Sequence, residues 1–154
     1  MTARTLCTLL ALGIVPGLAD VSSAQSGAVE RLALDSGLHR AAHLGDVVSL
    51  QRELDAGTDP NVINRFGVTS LSLACTGGHV DAINVLLTAG ADPNQASAAG
   101  ETPLMVAART GVIDSVVALL EHGADPVARE SWMGQTALMW AAAERHADVI
   151  GPLV

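Results

Sequence analysis

Apolar and small residues recur along this chain at a fixed spacing. Residues 101–126 align with residues 68–93 without a gap, at a period of 33. A further step back reaches residues 38–60, and a step forward of 34 reaches residues 134–150. Self-similarity at a period of this length predicts a stack of repeated supersecondary units.

Within each unit the pattern predicts two short helices joined by a tight turn. A threonine precedes a segment rich in alanine and leucine, where its hydroxyl can cap a helix start. Ile83, Leu86 and Leu87 then follow at the spacing of one helical face. The repeated positions are the capping residues Thr69, Thr102 and Thr136, the small residues Ala74, Ala107 and Ala141, and the turn glycines Gly78 and Gly111.

A glycine and an Asp-Pro pair follow each second helix. The glycine favours the left-handed backbone that ends a helix, and the pair predicts a turn leading to a projecting loop. We interpret the recurring aspartates as turn residues rather than as a ladder that attracts cations. The residues are Gly57, Gly90 and Gly123, followed by Asp59, Asp92 and Asp125.

The pattern G-x-T-P-L-x-x-A-A-x-x-G…LL…GADPN resembles the ankyrin repeat. The residues that carry it best are Gly100, Thr102, Pro103, Leu104, Ala107, Ala108, Gly111, Gly123, Ala124 and Asp125. The resemblance implies an all-α ankyrin-repeat solenoid of helix-turn-helix units with projecting β-turn or hairpin loops. Its units would be residues 36–63 as an N-terminal cap, 64–96, 97–129 and an incomplete 130–154.

Departures from the pattern lie mainly at the two ends of the repeat region. Arg52 and Glu53 make the second helix of the first unit polar, as a terminal cap requires. Arg145 replaces the turn glycine, so we expect a tighter or rotated turn there. Gly151 and Pro152 should break the last helix. We expect either a longer repeat array beyond Val154 or a partner that covers the last unit.

Residues 1–24 show the order of a secretory signal peptide. Arg4 precedes an apolar run, and small residues follow it. We expect cleavage after Ala24, or after Ala19 as an alternative, and residues 25–35 would form a linker or short helix. The alternative is an amphipathic or buried N-terminal helix. The signal interpretation predicts an exported protein, periplasmic or secreted, without a stable membrane anchor.

Charge and cysteine content narrow the functional classes. The formal net charge is −8 and all eight basic residues are arginine. This balance argues against nucleic-acid binding, and we expect a negative groove that favours basic partners. Cys75 is the only cysteine after the signal region and aligns with Ala108 and Ala142, which predicts a small buried residue.

Candidate chemistry within the repeats is sparse. His39 and His43 are four residues apart, a spacing that can hold a metal ion. His39 also occupies the position where the ankyrin resemblance implies a structural hydrogen bond, and we favour that interpretation. No nucleophile with a base and no phosphate loop falls outside the repeat pattern, so the sequence predicts no enzyme, no metal and no cofactor.

The resemblance implies that the projecting tips and the first helices line a concave groove that binds a partner protein. Trp140 aligns with Leu73 and Val106 and is predicted to be core. The candidate protein-binding residues are Arg65, Phe66, Val68, Glu101, Arg109, Trp132, Met133 and Gln135.

These observations predict a non-enzymatic protein–protein interaction module, an exported scaffold that binds a protein on its concave face. The alternative is the N-terminal docking arm of a larger secreted enzyme or effector. Self-association through the open last unit is a further expectation.

Overall fold

The computed structural model describes residues 36–154, and these form a row of helix pairs. The elements are α1 (Gly37–Leu44), α2 (Val47–Asp55), α3 (Ser70–Gly77), α4 (Val80–Thr88), α5 (Pro103–Thr110), α6 (Ile113–Glu121), α7 (Ala137–Ala143), α8 (Ala147–Ile150) and a 3₁₀ turn (Gly151–Leu153). The all-α helix-turn-helix solenoid is thereby confirmed. The predicted signal peptide, 1–24, and linker, 25–35, lie outside the described residues.

The predicted helix caps are largely present. The Thr69 hydroxyl accepts a hydrogen bond from Ser72 N at 3.1 Å, and the Thr102 hydroxyl accepts one from Met105 N at 3.4 Å. Thr136 is the exception, since its side chain makes no cap hydrogen bond within the described part. Its backbone is more extended, with φ −101° against −87° and −86° at the other two threonines.

The turn between the two helices has the same backbone in every unit. Gly78 and Gly111 have φ values of 66° and 74°, and Arg145 adopts the same left-handed conformation at 62°. His146 N donates to Ala141 O, as the equivalent groups do in the second unit. The expected tighter or rotated turn is therefore wrong. The turn is kept, and a non-glycine residue occupies a conformation that costs about 1–2 kcal/mol.

Small side chains let the first helices of neighbouring units approach closely. Ala74, Ala107 and Ala141 have no solvent exposure, as predicted. Contacts between successive first helices are more extensive than those between successive second helices. We call the side formed by the first helices and the tips the inner side, and the side formed by the second helices the outer side.

Histidines connect neighbouring units through backbone carbonyls. His39 is fully buried, and its Nε2 lies 3.1 Å from Val68 O. A carbonyl only accepts, so Nε2 carries the proton and Nδ1 accepts from the Ser36 hydroxyl at 2.6 Å. The structural interpretation of His39 is confirmed. His79 bonds to His43 O in the same manner.

Two asparagines join successive turns. The Asn61 amide donates to Gly90 O at 3.1 Å and accepts from Asp92 N at 2.7 Å. Asn94 makes the equivalent pair of hydrogen bonds to the third unit. The preceding aspartates each accept from the backbone N–H two residues on, which confirms that Asp59, Asp92 and Asp125 are turn residues.

Cys75 lies in α3 and is fully buried. Burial raises the pKa of its thiol to about 12, so the side chain is a neutral thiol at physiological pH. The prediction of a small buried residue is confirmed.

The last unit leaves an apolar face open. Its second helix stops at Ile150, as the pair at 151–152 predicted. Met139 aligns with Met105, which is fully buried, yet Met139 is 47% exposed. Ala142 is likewise exposed, whereas Ala108 is buried. None of the helices within residues 36–154 has the length and apolar character needed to cross a membrane.

We predict that Arg145→Gly raises the free energy of unfolding by about 0.5–1 kcal/mol. The glycine removes the left-handed strain, and its greater freedom in the unfolded chain offsets part of that gain. Urea denaturation of the two proteins measures the difference. The same change inside a helix, Arg52→Gly, is the control and should destabilise by about 1 kcal/mol. Equal destabilisation by both changes would contradict the prediction.

Candidate protein-binding surface

Each projecting tip is a short hairpin whose two arms are joined by a backbone hydrogen bond. The donors are the N–H groups of Asn64, Ser97 and Glu130, and the acceptors are the carbonyls of Val68, Glu101 and Gln135. These residues occupy equivalent positions in the three tips. Three of the predicted binding residues, Val68, Glu101 and Gln135, are therefore half-buried on the return arm, with their backbone already bonded.

A side-chain oxygen inside each tip holds its backbone N–H groups. Asn64 Oδ1 accepts from Phe66 N at 2.9 Å and from Val68 N at 3.0 Å. Ser97 Oγ accepts from Ala99 N and Glu101 N, both at 3.3 Å. These bonds fix the course of the hairpin independently of the side chains that the tip displays.

Glu130 performs this role in the third tip, which is one residue longer. Its carboxylate accepts from Trp132 N, from Met133 N at 2.7 Å and from Gln135 N at 2.9 Å. The backbone N–H groups, with that of Gln135 foremost, lower the pKa of the buried carboxyl below its ordinary value. Sequence reasoning missed Glu130. The signal for it was a hydrogen-bonding side chain at the equivalent positions 64, 97 and 130, and the longest of these side chains, that of Glu130, lies in the tip with the extra residue.

The first and third tips display large apolar side chains. Phe66 is 57% exposed, Trp132 is 87% exposed and Met133 is exposed beside it. The middle tip carries Ala98 and Ala99 instead. Neither aromatic ring is hidden against a neighbouring turn, so both remain available to a partner.

The tips also support one another. Ser131 N donates to Ala99 O at 3.1 Å, which joins the third tip to the second. A Cβ added at Gly67 would lie 3.2 Å from Ala98 N, so the first tip also approaches the second closely. The exposed rings therefore stand on a backbone that is already ordered before binding.

Arg109 and Trp140 form the wall of a shallow depression on the inner side. The Arg109 guanidinium lies 5.2 Å from the Trp140 ring, within the range of a cation–π contact. The depression has a volume of about 210 Å³ and is also lined by Gln135, Ala143 and Glu144. Trp140 is half-buried rather than core, because one part packs on the core and another part faces Arg109. The core prediction for Trp140 is to that extent wrong.

Charge is unevenly distributed among the elements of residues 36–154. The second helices, their N-caps and the turns that follow them hold ten acidic residues and one arginine. These are Asp46, Glu53, Asp55, Asp59, Asp81, Asp92, Asp114, Glu121, Asp125, Asp148 and Arg52. The first helices, the residues that directly follow them and the tips hold Arg40, Arg65, Arg109, Arg129 and Arg145 against Glu101, Glu130 and Glu144. The negative groove that favours basic partners stays a prediction.

The geometry of His39 does not support a metal site at His39 and His43. His39 uses both ring nitrogens in the hydrogen bonds to Ser36 and Val68. Within residues 36–154 no group of three or more His, Cys, Asp or Glu side chains is arranged to hold a metal ion.

Paired helices, left-handed turns and hydrogen-bonded hairpin tips define a helical repeat protein. The family model described as Ankyrin repeats (3 copies) matches residues 38–130 and 90–154. The chain belongs to the ankyrin-repeat family. Ankyrin repeats are generally protein–protein interaction modules and typically non-catalytic scaffolds. A search of curated proteins finds no match.

We predict that Glu130→Ala destabilises the protein at neutral pH, because three backbone N–H groups of the third tip lose their acceptor. Because the pKa of Glu130 is lowered in the folded protein, the stability that its carboxylate contributes is fully present above the ordinary glutamate pKa. This stability is lost as the pH falls through the lowered pKa. The difference between wild type and variant, measured by urea denaturation, should therefore shrink from about pH 7 to about pH 3. Glu121→Ala, on an exposed glutamate, is the control. A pH-independent difference would argue against this role.

Proposed function

We propose that this protein is a non-enzymatic scaffold that binds a partner protein on the inner side of its solenoid. The carrying observation is the exposure of Phe66, Trp132 and Met133 on tips whose backbone is held by hydrogen bonds from within the tip. Exposed aromatic and methionine side chains beside arginine are enriched where proteins bind one another. Arg65 and Arg109 supply the arginine on the same side.

Order within the tips favours binding. A loop that becomes ordered on association lowers the affinity by its lost conformational entropy. Here Asn64 and Glu130 hold two of the tips from within, and Ser131 joins the third tip to the middle one. The scaffold therefore presents its anchors without a large ordering cost.

We infer an exported setting, periplasmic or secreted, from the order of basic, apolar and small residues in 1–24. Amino-terminal sequencing of the mature protein tests this, and a mature chain that retains Arg4 would contradict it. The same inner surface would serve if the repeats were the docking arm of a larger secreted enzyme or effector. The length of the open reading frame distinguishes a scaffold made of repeats from the docking arm of a larger protein.

We predict that Trp132→Ala leaves the melting temperature close to that of wild type and weakens partner binding. The ring is too exposed to contribute much to stability, but it offers a large apolar area to a partner. Affinity capture from a periplasmic or secreted fraction should recover a partner with wild type and lose it with Phe66→Ala/Trp132→Ala. Val48→Ala, on an exposed residue of the outer side, is the control. A collapsed melting temperature in Trp132→Ala would show a structural role instead.

A second proposal, self-association, is supported by the open face of the last unit. Met139 and Leu138 are exposed where their equivalents in the earlier units are buried. We predict concentration-dependent association in sedimentation velocity runs, and its reduction by Met139→Glu. A monomer throughout a hundredfold concentration range would contradict it.

A further inference from the structure

The depression formed by α5, α7 and the third tip is lined by polar groups that the protein itself leaves unbonded. Its lining residues are Arg109, Gln135, Trp140, Ala143 and Glu144, and its volume is about 210 Å³. Within residues 36–154 neither the Gln135 amide nor the Glu144 carboxylate makes a hydrogen bond or ion pair. The Trp140 indole N–H is buried and also lacks an acceptor. Folded proteins normally satisfy buried polar groups, so this place is not shaped by folding alone.

The charged and aromatic residues of the depression are specific to one junction of the stack. Arg109 belongs to the third unit, and Trp140 and Glu144 belong to the fourth. The equivalent side chains one unit earlier are uncharged and not aromatic, namely Thr76, Val106 and Thr110. The units stack there without these groups, so the repeat itself does not require them.

The lining carries one positive and one negative group. A carboxylate from a partner would be attracted by Arg109 and repelled by Glu144, and a cationic side chain would meet the reverse. A neutral group that both donates and accepts hydrogen bonds avoids this conflict. It can donate to the Glu144 carboxylate and accept from the Gln135 amide.

The size of the depression and its arginine favour an aromatic ring. The Arg109 guanidinium lies 5.2 Å from the centroid of the Trp140 ring, and Arg109 remains an exposed residue. Guanidinium groups stack on aromatic faces, so a second ring can lie against Arg109. Pockets for drug-sized molecules measure about 300–1,000 Å³, whereas a depression of about 210 Å³ suits a single side chain.

We propose, on the basis of the proposed function above, that this depression receives one tyrosine side chain of the partner protein. The ring lies against the Arg109 guanidinium, and the hydroxyl donates to Glu144 and accepts from the Gln135 amide. Tyrosine combines a large apolar area with a polar end, and it is among the residues that contribute most to binding at protein interfaces. Phenylalanine would leave the Glu144 carboxylate without a donor.

The test is a titration of the full chain with N-acetyltyrosinamide, followed through the indole signals in proton–nitrogen correlation NMR spectra. The chain has two tryptophans, so Trp140 reports on the depression and the exposed Trp132 is the internal control. Trp132→Phe assigns the two signals. We expect a saturable shift of the Trp140 signal with a Kd of about 1 mM. N-acetylphenylalaninamide should bind about fivefold or more weakly.

Variants of the lining identify the groups that bind. Arg109→Gln and Glu144→Gln should each weaken binding of N-acetyltyrosinamide about fivefold or more. Glu144→Gln should also reduce the difference between the tyrosine and phenylalanine compounds, which a merely structural role would not do. Arg52→Gln and Glu121→Gln, at exposed positions of the second helices, are the matched controls and should leave the affinity unchanged. Melting curves of each variant verify that the fold is retained.

Three results would overturn the tyrosine assignment. They are equal binding of the two compounds, no saturable shift of the Trp140 signal up to about 50 mM, and tighter binding of acetate or ethylguanidinium. The last result would identify an acidic or a basic side chain as the occupant. Affinity capture with Phe66→Ala/Trp132→Ala is measured separately, so it decides the proposed function independently of this titration.

Discussion

Burial of the first helices against one another is the interaction on which this structure depends. No unit hides its own apolar face, and Ala74 loses its exposure only because neighbouring first helices lie against it. The hydrogen bonds from His39 and Asn61 to the next unit then fix the spacing along the row. The tips take no part in this contact, so the requirements of stacking leave their displayed side chains free to differ from unit to unit.

The sequence predicts the helices, turns and tips well, because their signals are local. A threonine cap or an Asp-Pro turn acts within a few residues, and the repeat shows each signal several times. The misses concern contacts between units. Trp140 aligns with apolar positions, yet its surroundings include Arg109 of the preceding unit, which no local pattern indicates. Arg145 keeps the turn that its side chain disfavours, because the flanking helices determine the backbone there.

The third tip shows how a repeat can change its surface without disturbing its stack. One extra residue lengthens the hairpin, and the longer side chain of Glu130 reaches three N–H groups where Asn64 reaches two. The satisfied backbone then carries Trp132 almost fully into solvent. A polar residue inside the tip thus separates the requirements of folding from the choice of displayed side chains.

Many of the acidic residues have structural roles that are separate from recognition in the same way. Most of those in the second helices and the turns around them have local structural reasons to be there. Asp46 caps α2, Asp81 and Asp114 lie in the first turns of α4 and α6, and three further aspartates form the turns after the second helices. A good part of the negative charge is therefore a consequence of how the helices begin and end. Charged residues of the tips have structural roles as well, since Glu130 holds three N–H groups of its own tip and Arg129 donates to Gly134 O at 2.8 Å.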